Sequence, residues 1–293
     1  MRAVKERAYA KINLYLDVIS KREDGYHDIK TVMHSISLAD EVTVIYKPSQ
    51  TRSVKLSLKG NRFLPTDERN LAVKAATLYL ETANINADIE IKLEKRIPIA
   101  AGLAGGSSDA AATLRAMNKI FGKLFADRVL FKMAASLGSD VPYCLYGKTA
   151  LCEGRGEIIT KLPDKLSLNV VVAIANERIS TPQAYAGLDL EFSDFDGAKK
   201  TVDPSVYQNL MYAIEKGKLS SDVLFNVFER SVFQICPRAN EIKNKMYALG
   251  AEAALMSGSG PSVFGIFENE NQAEKACSAL REDNIIAFFA RSV

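Results

Sequence analysis

The chain is poor in the residues that build metal sites and disulfide frameworks. Its four cysteines, Cys144, Cys152, Cys236 and Cys277, include no C-x-x-C pair, and its only histidines are His27 and His34. This argues against a zinc site and against a disulfide scaffold, and leaves small buried thiols as the expected state. An excess of one charge is also missing. The 38 Lys and Arg against 35 Asp and Glu leave a net charge of +3, too mild to point to nucleic acid or a membrane as the main partner. No apolar run reaches the roughly 18 residues that cross a bilayer. The opening MRAVKERAYAKINLYLDV is interrupted by Lys5, Glu6, Arg7, Lys11 and Asn13. It lacks the apolar core of a secretory signal, so a cytoplasmic location is expected.

What is present is ordinary globular composition, 47% hydrophobic and 25% charged over 293 residues, enough for two domains with a core each. Glycine and proline at 154, 156 and 163 punctuate the middle, and the expected domains are 1–158 and 159–293. The first segment alternates Ala8, Ala10, Ile12 and Leu14 with Tyr9, Lys11, Asn13 and Tyr15. That period predicts a strand with Lys11 and Asn13 together on its polar face, opposite the core. DEVTVIYK, SVKLSLKG and ADIEIKLE repeat the strand pattern, whereas RNLAVKAATLYLETA and residues 127–137 carry helical spacing. GSDVPY reads as a loop. The second half predicts a buried strand at LSLNVVVAIAN, then a helix at TPQAYAGL capped by Thr181 with Pro182 in its first turn. Helices over 204–217, 222–235 and 238–249 come next, then strand, strand, helix and strand, with EFSDFDGAKKTVD as the one polar linker. The expected class is α+β, mixed sheets packed with helices, ending in an antiparallel sandwich.

One stretch stands out: RIPIAAGLAGGSSDAAATLRAMNKIFG, Arg96 to Gly122. It lacks the lysine of a P-loop and the spacing of a dinucleotide fingerprint. It still reads as strand, glycine loop and helix, and the free N–H groups of a helix start favour an anion. Ser107 and Ser108 add hydroxyls for a phosphate, or for Mg²⁺ bound to one. The alternative is that one of these serines merely caps the helix, with Asp109 complementing its dipole. By itself the loop leaves cradle and cap evenly open.

Other features keep it company. Asp140, in the Gly-Ser-Asp turn before Pro142, could accept a hydroxyl proton, or be a turn residue only. Lys11 could neutralise phosphate or be solvated. Tyr26 and His27 follow a turn glycine and suit a planar heterocycle, or sit at a plain hairpin tip. MSGSGPSVFGIF is a second glycine turn at Gly258, Ser259 and Gly260.

In this order AKINLYL, DGYH, PIAAGLAGGSSDAA, GSDVPY and MSGSGPSVFGIF resemble the GHMP kinase superfamily, over nearly the whole chain. AKINLYL followed by DGYH resembles the branch whose substrate carries a cytidyl diphosphate. The resemblance implies a two-domain fold with ATP and substrate in the cleft between domains. It implies Mg-ATP-dependent phosphorylation of an alcohol on that small molecule, by direct in-line transfer, with no nucleic acid or membrane partner. It places the ATP phosphates on Pro98, Ile99, Ala100, Ala101, Gly102, Leu103, Ala104, Gly105, Gly106, Ser107 and Ser108, with Asn70 near the adenine. It makes Asp140 the base and Lys11 its partner. Asn13, Tyr26, His27 and Tyr185 would hold the substrate, and Gly258 to Gly260 would line the site. Relatives often carry glycine at 100, 101 and 104 and asparagine at 109; Asp109 is expected to point away from phosphate, into the helix-capping network. The rivals are another kinase of the superfamily, for homoserine or a phosphomevalonate, and a non-catalytic RNA-binding protein.

Overall fold

The computed structural model describes residues 1–60, 63–177, 179–193 and 204–293, so most of the polar linker, residues 194–203, lies outside them. The chain forms two compact units: Met1–Ala10 with Leu38–Ile99 and Ala104–Gly147, and Lys11–Ser37 with Ala100–Leu103 and Lys148–Val293. Two long strands, β1 (Arg2–Lys21) and β2 (His27–Pro48), contribute to both.

In the first unit, Glu41–Pro48 of β2 pairs antiparallel with β4 (Ala87–Glu94), and β4 pairs parallel with β3 (Ser53–Lys59). On β4 the apolar residues alternate, so Ile89, Ile91 and Leu93 are buried and their neighbours less so, the signature of a sheet with one covered face. The core adds α1 (Leu71–Ala83), α2 (Gly105–Ile120), α3 (Asp127–Leu137) and α4 (Val141–Tyr146). Ala72, Ala75 and Ala76 share one buried cluster with Ala110, Ala111 and Ala112, small side chains that let helix backbones approach closely. Tyr79, fully buried, donates from its hydroxyl to Asn118 Oδ1 at 3.0 Å, as a buried phenol must. The expected GSDVPY loop is shorter than read. It ends at Asp140, and α4 starts at Val141 with Pro142 in the first turn, where proline's fixed φ suits a helix.

In the second unit, Ile29–His34 of β2 pairs with β5 (Thr149–Gly154), which pairs with β6 (Ile158–Lys161). A separate antiparallel sheet has β7 (Asn169–Ile174) between β10 (Ser262–Phe267) and β11 (Ile286–Arg291), with β9 (Ala253–Met256) beyond β10. Val170 to Ala173 are completely buried on this inner strand, which explains its unbroken apolar run. The helices are α5 (Thr181–Ser193), α6 (Pro204–Lys216), α7 (Glu229–Ile235), α8 (Pro237–Ala248) and α9 (Glu270–Glu282).

Two expectations are corrected. The helix over 222–235 is a 3₁₀ turn at Ser221–Val223, a short strand β8 (Phe225–Asn226) and α7. Strand pairing of Tyr15 and Leu16 with Phe225 and Asn226 overrides the helical spacing there. The cap of α5 is Ser180, whose Oγ accepts from Gln183 N at 3.3 Å while Gln183 Oε1 accepts from Ser180 N at 2.9 Å. This reciprocal pair makes Thr181 the first helical residue, and its hydroxyl meets Ser259 Oγ at 3.1 Å.

Candidate active site

In the first unit the chain leaves β4 at Glu94 and enters α2 at Gly105. Between them the backbone is left-handed at Ala100 (φ 53°), Gly102 (φ 73°) and Ala104 (φ 57°). For alanine this costs about 1–2 kcal/mol per residue, a strain characteristic of segments with a task. Alanine thus takes the turns that glycine makes more cheaply. Ala104 occupies the cap position of α2 and gives no side-chain hydrogen bond. Ser108 does not cap either: its hydroxyl donates back to Tyr9 O at 2.5 Å and lies 3.2 Å from Cys144 Sγ. The first N–H groups of α2 therefore have no side-chain cap, and the helix dipole favours a negative charge beside them.

Asp109 lies beyond the first turn of α2 and takes no part in capping. It is buried, and its Oδ2 accepts from Lys95 Nζ at 2.7 Å. Lys95 also donates to Asp40 Oδ2. The other oxygen of Asp40 accepts from Arg96 N at 2.5 Å and Ile97 N at 2.8 Å, whereas Asp109 Oδ1 has no hydrogen-bond partner among the described residues. Burial pushes the Asp109 carboxyl up to about 8; Lys95 opposes this and Asp40 reinforces it. Lys95 stays charged: burial works against its ammonium but Asp109 and Asp40 outweigh it. One cation between two carboxyls is neutral when Asp109 keeps its proton, the state least costly to bury.

Asn70 is the cap of α1, accepting from Ala72 N at 3.0 Å and donating to Pro65 O at 2.9 Å. Asp140 precedes α4 in helical backbone geometry (φ −83°, ψ −13°), and its half-buried carboxylate does no capping.

The second unit holds the remaining candidates. Lys11 and Asn13 share a face, as expected, but are 3% and 1% exposed rather than solvated. Lys11 Nζ donates to Asn13 Oδ1 at 2.7 Å, Asn13 Nδ2 to Thr31 Oγ1 at 2.8 Å, and the Thr31 hydroxyl to Tyr15 O at 2.6 Å. The lysine's bond goes to an amide oxygen, so it leaves the charge available to an anionic ligand. The Ala100–Leu103 stretch and the second glycine turn are locked together. Ser257 Oγ donates to Gly102 O at 3.1 Å, and Ser262 Oγ to Ala101 O. A Cβ at Gly102 would fall 2.2 Å from Ser257 O, and one at Gly258 would fall 3.0 Å from Gly102 O and 3.3 Å from Lys11 Nζ. Asn226 Nδ2 fastens the turn through Met256 O at 2.7 Å and Gly258 O at 2.8 Å.

His27 stacks on Tyr185 with ring centroids 4.6 Å apart, and Tyr185 meets the edge of Phe228 at 4.8 Å. Tyr26 is 55% exposed, with the Arg155 guanidinium 5.0 Å from its ring centre. The structure thus pairs two of the three rings expected to hold a heterocycle and sets the third beside a cation. Lys95, Asp40, Thr31, Asn226, Ser257 and Ser262 escaped the sequence reading. Their types are common, and only the pairing across distant segments singles them out.

One unit thus holds the uncapped start of α2 and the Asp140 carboxylate, and the other holds buried Lys11 and the His27–Tyr185 stack. Residues 70–148 match the GHMP kinases N terminal domain, and residues 210–286 match GHMP kinases C terminal. The chain belongs to the GHMP kinase family. Among its relatives, the 4-diphosphocytidyl-2-C-methyl-D-erythritol kinase of Lachnoclostridium phytofermentans is 42% identical, over 94% of this chain and 92% of that protein. The kinase of the same name from Acetivibrio thermocellus is 38% identical over 100% of both. A crystal structure of 4-(cytidine 5'-diphospho)-2C-methyl-D-erythritol kinase shares 33% identity over 98% of each chain, with a TM-score of 0.78. A homoserine kinase structure from Cytophaga hutchinsonii, at 21% identity and TM-score 0.73, shares the fold.

Proposed function

We propose that this chain transfers the γ-phosphoryl group of ATP to the 2-hydroxyl of 4-diphosphocytidyl-2-C-methyl-D-erythritol, a step of non-mevalonate isoprenoid synthesis. The observation that carries the kinase reading is the uncapped start of α2 behind left-handed turns at Ala100, Gly102 and Ala104. The substrate is supported by the printed names of the full-length relatives and by the His27–Tyr185 stack, a surface for a flat base. In this reading Gly105 to Ser107 receive the phosphates, Asp140 orients and deprotonates the hydroxyl, and Lys11 stabilises the developing negative charge. Asn13 holds the substrate, and Tyr26 and His27 with Tyr185 hold its cytosine. Transfer is direct and in line, without a phosphoenzyme.

The residues do not fit a protein-held metal. Among the described residues no three His, Cys, Asp or Glu are placed to hold one, and Asp40 and Asp109 are closed around Lys95. Mg²⁺ is therefore assigned to the triphosphate itself. With Ser108 committed to Tyr9, Ser107 is the serine left to serve it.

The test is to incubate the protein with Mg-ATP and, separately, the cytidyl alcohol, homoserine, mevalonate and phosphomevalonate, counting ADP. Turnover with the cytidyl alcohol alone is expected. Turnover with another acceptor would overturn the substrate, and turnover with none would overturn the kinase.

A further inference from the structure

The Lys95 cluster has no part in the chemistry above, yet it touches both flanks of the glycine loop. Lys95, Arg96 and Ile97 form the strand exit on one side, and Asp109 stands on α2 on the other. Asp40, from β2, holds the exit by accepting from the amides of Arg96 and Ile97. Lys95 joins that exit to the helix through Asp109. Gly105, the first residue of α2, packs directly on this join: a Cβ there would lie 3.1 Å from Ile97 Cγ2 and 3.3 Å from Lys95 Nζ. The start of α2 therefore rests on the lysine, and the carboxyls decide where the lysine stands.

We propose that Asp109, acting through Lys95 together with Asp40, is a positioning residue that sets the N-terminal turn of α2 for the phosphates of the nucleotide. Asp40 fixes Lys95 relative to the β4 exit, and Asp109 fixes α2 relative to Lys95. Without Asp109 the exit and the helix lose the polar bridge that Lys95 makes between them, and the first amides of α2 are free to shift. Such amides work only when already aimed, because reorienting them during binding forfeits the benefit of preorganisation. Displacements of about 1 Å suffice to lose it.

The inference rests on the kinase reading and deepens it. Its test is nucleotide binding by Asp109→Leu and Asp109→Asn, read with a fluorescent ADP analogue, alongside Michaelis constants for ATP and for the cytidyl alcohol. Leucine removes the bridge but leaves the Asp40–Lys95 pair, so no uncompensated charge is buried. Asp109→Leu is expected to weaken ADP binding and raise the ATP constant about tenfold or more, with the alcohol constant within twofold. Asp109→Asn, which keeps an oxygen for Lys95, is expected to recover most of that loss. If Asp109→Leu does not fold, Asp109→Ala is measured in its place. A folded Leu or Ala variant that binds ADP as tightly as the parent protein would overturn the proposal and leave the cluster a packing element. Equal loss in the Asn variant would also overturn it. A parent protein that binds no ADP analogue would instead sink the kinase reading itself.

Discussion

The first unit buries Asp109 beside Lys95, the second buries His34 between Thr149 and Ser292, and burial drives the two groups in opposite directions. His34 Nδ1 lies 2.8 Å from Thr149 Oγ1 and Nε2 lies 2.8 Å from Ser292 Oγ. Burial pulls its imidazole down to about 4, with a smaller opposing pull from Asp164. Asp109 is pushed up to about 8. Both shifts follow one rule, that a dry interior favours whichever form carries no charge. The acid and the base therefore give the two units opposite pH weaknesses. The candidate site repeats the contrast. The first unit offers backbone amides and a carboxylate; the second offers rings, an amide and one cation.

Replacing Asp140, the candidate base in the first unit, by asparagine is expected to lower kcat by about 10²–10⁴ while ADP and the cytidyl alcohol still bind. Near-normal turnover would remove Asp140 from the chemistry.

The pH weaknesses come next. The contribution of His34 is present above its unfolded value of 6.5 and is lost as the pH falls through about 4, at most about 3 kcal/mol. For Asp109 the sign reverses: its contribution is present below 3.8 and is lost as the pH rises through about 8. Denaturant titrations from pH 4 to 9 should give a stability curve that falls at both ends. His34→Asn should flatten the acid limb and Asp109→Asn the alkaline limb; limbs unchanged in both variants would contradict the assignment.

Tyr185→Ala should cost the second unit its ring stack, worth about 0.5–1.5 kcal/mol. That is a rise of about two- to tenfold in the Michaelis constant for the cytidyl alcohol, with the ATP constant unchanged. Tyr185→Phe should restore it. A matching rise for ATP would show that the two units do not divide the ligands between them.

The smallest effect lies in the loop. Ala104→Gly relieves a left-handed alanine but adds freedom to the unfolded chain, for a net gain of about 0.5 kcal/mol. Urea melts would register it, and a loss of stability would mean that the alanine methyl packs usefully.

Much of this was legible beforehand. Alternation placed β3 and β4, helical spacing placed α1 and α3, and the last four elements were read in order, because each pattern is local. Residue 222–235 misled because β8 takes its shape from β1, more than two hundred residues earlier in the chain. The cap of α5 was missed by one residue because Ser180 and Thr181 are equally good capping types, and only Gln183 decides between them. The candidate site residues that stand out in the sequence, Gly102, Ser108, Asp140, Tyr26 and His27, sit in unusual local strings. Asn226 and Ser262 do not, since each is an ordinary polar residue in an apolar stretch.

The family, the order of most elements and the glycine loop follow from the amino-acid order, because these depend on residue types at short spacing. The partners of the polar residues in those motifs come from the folded chain. Folding turned Lys11 and Asn13 from a solvated face into a buried hydrogen-bonded chain, and committed Ser108 to Tyr9 instead of a cap. It also took Asp109 out of the capping network and set it on Lys95. The physical reason is that burial and partnership are properties of segments brought together over long separations, and the cost of burying a charge is fixed only once its partner is in place.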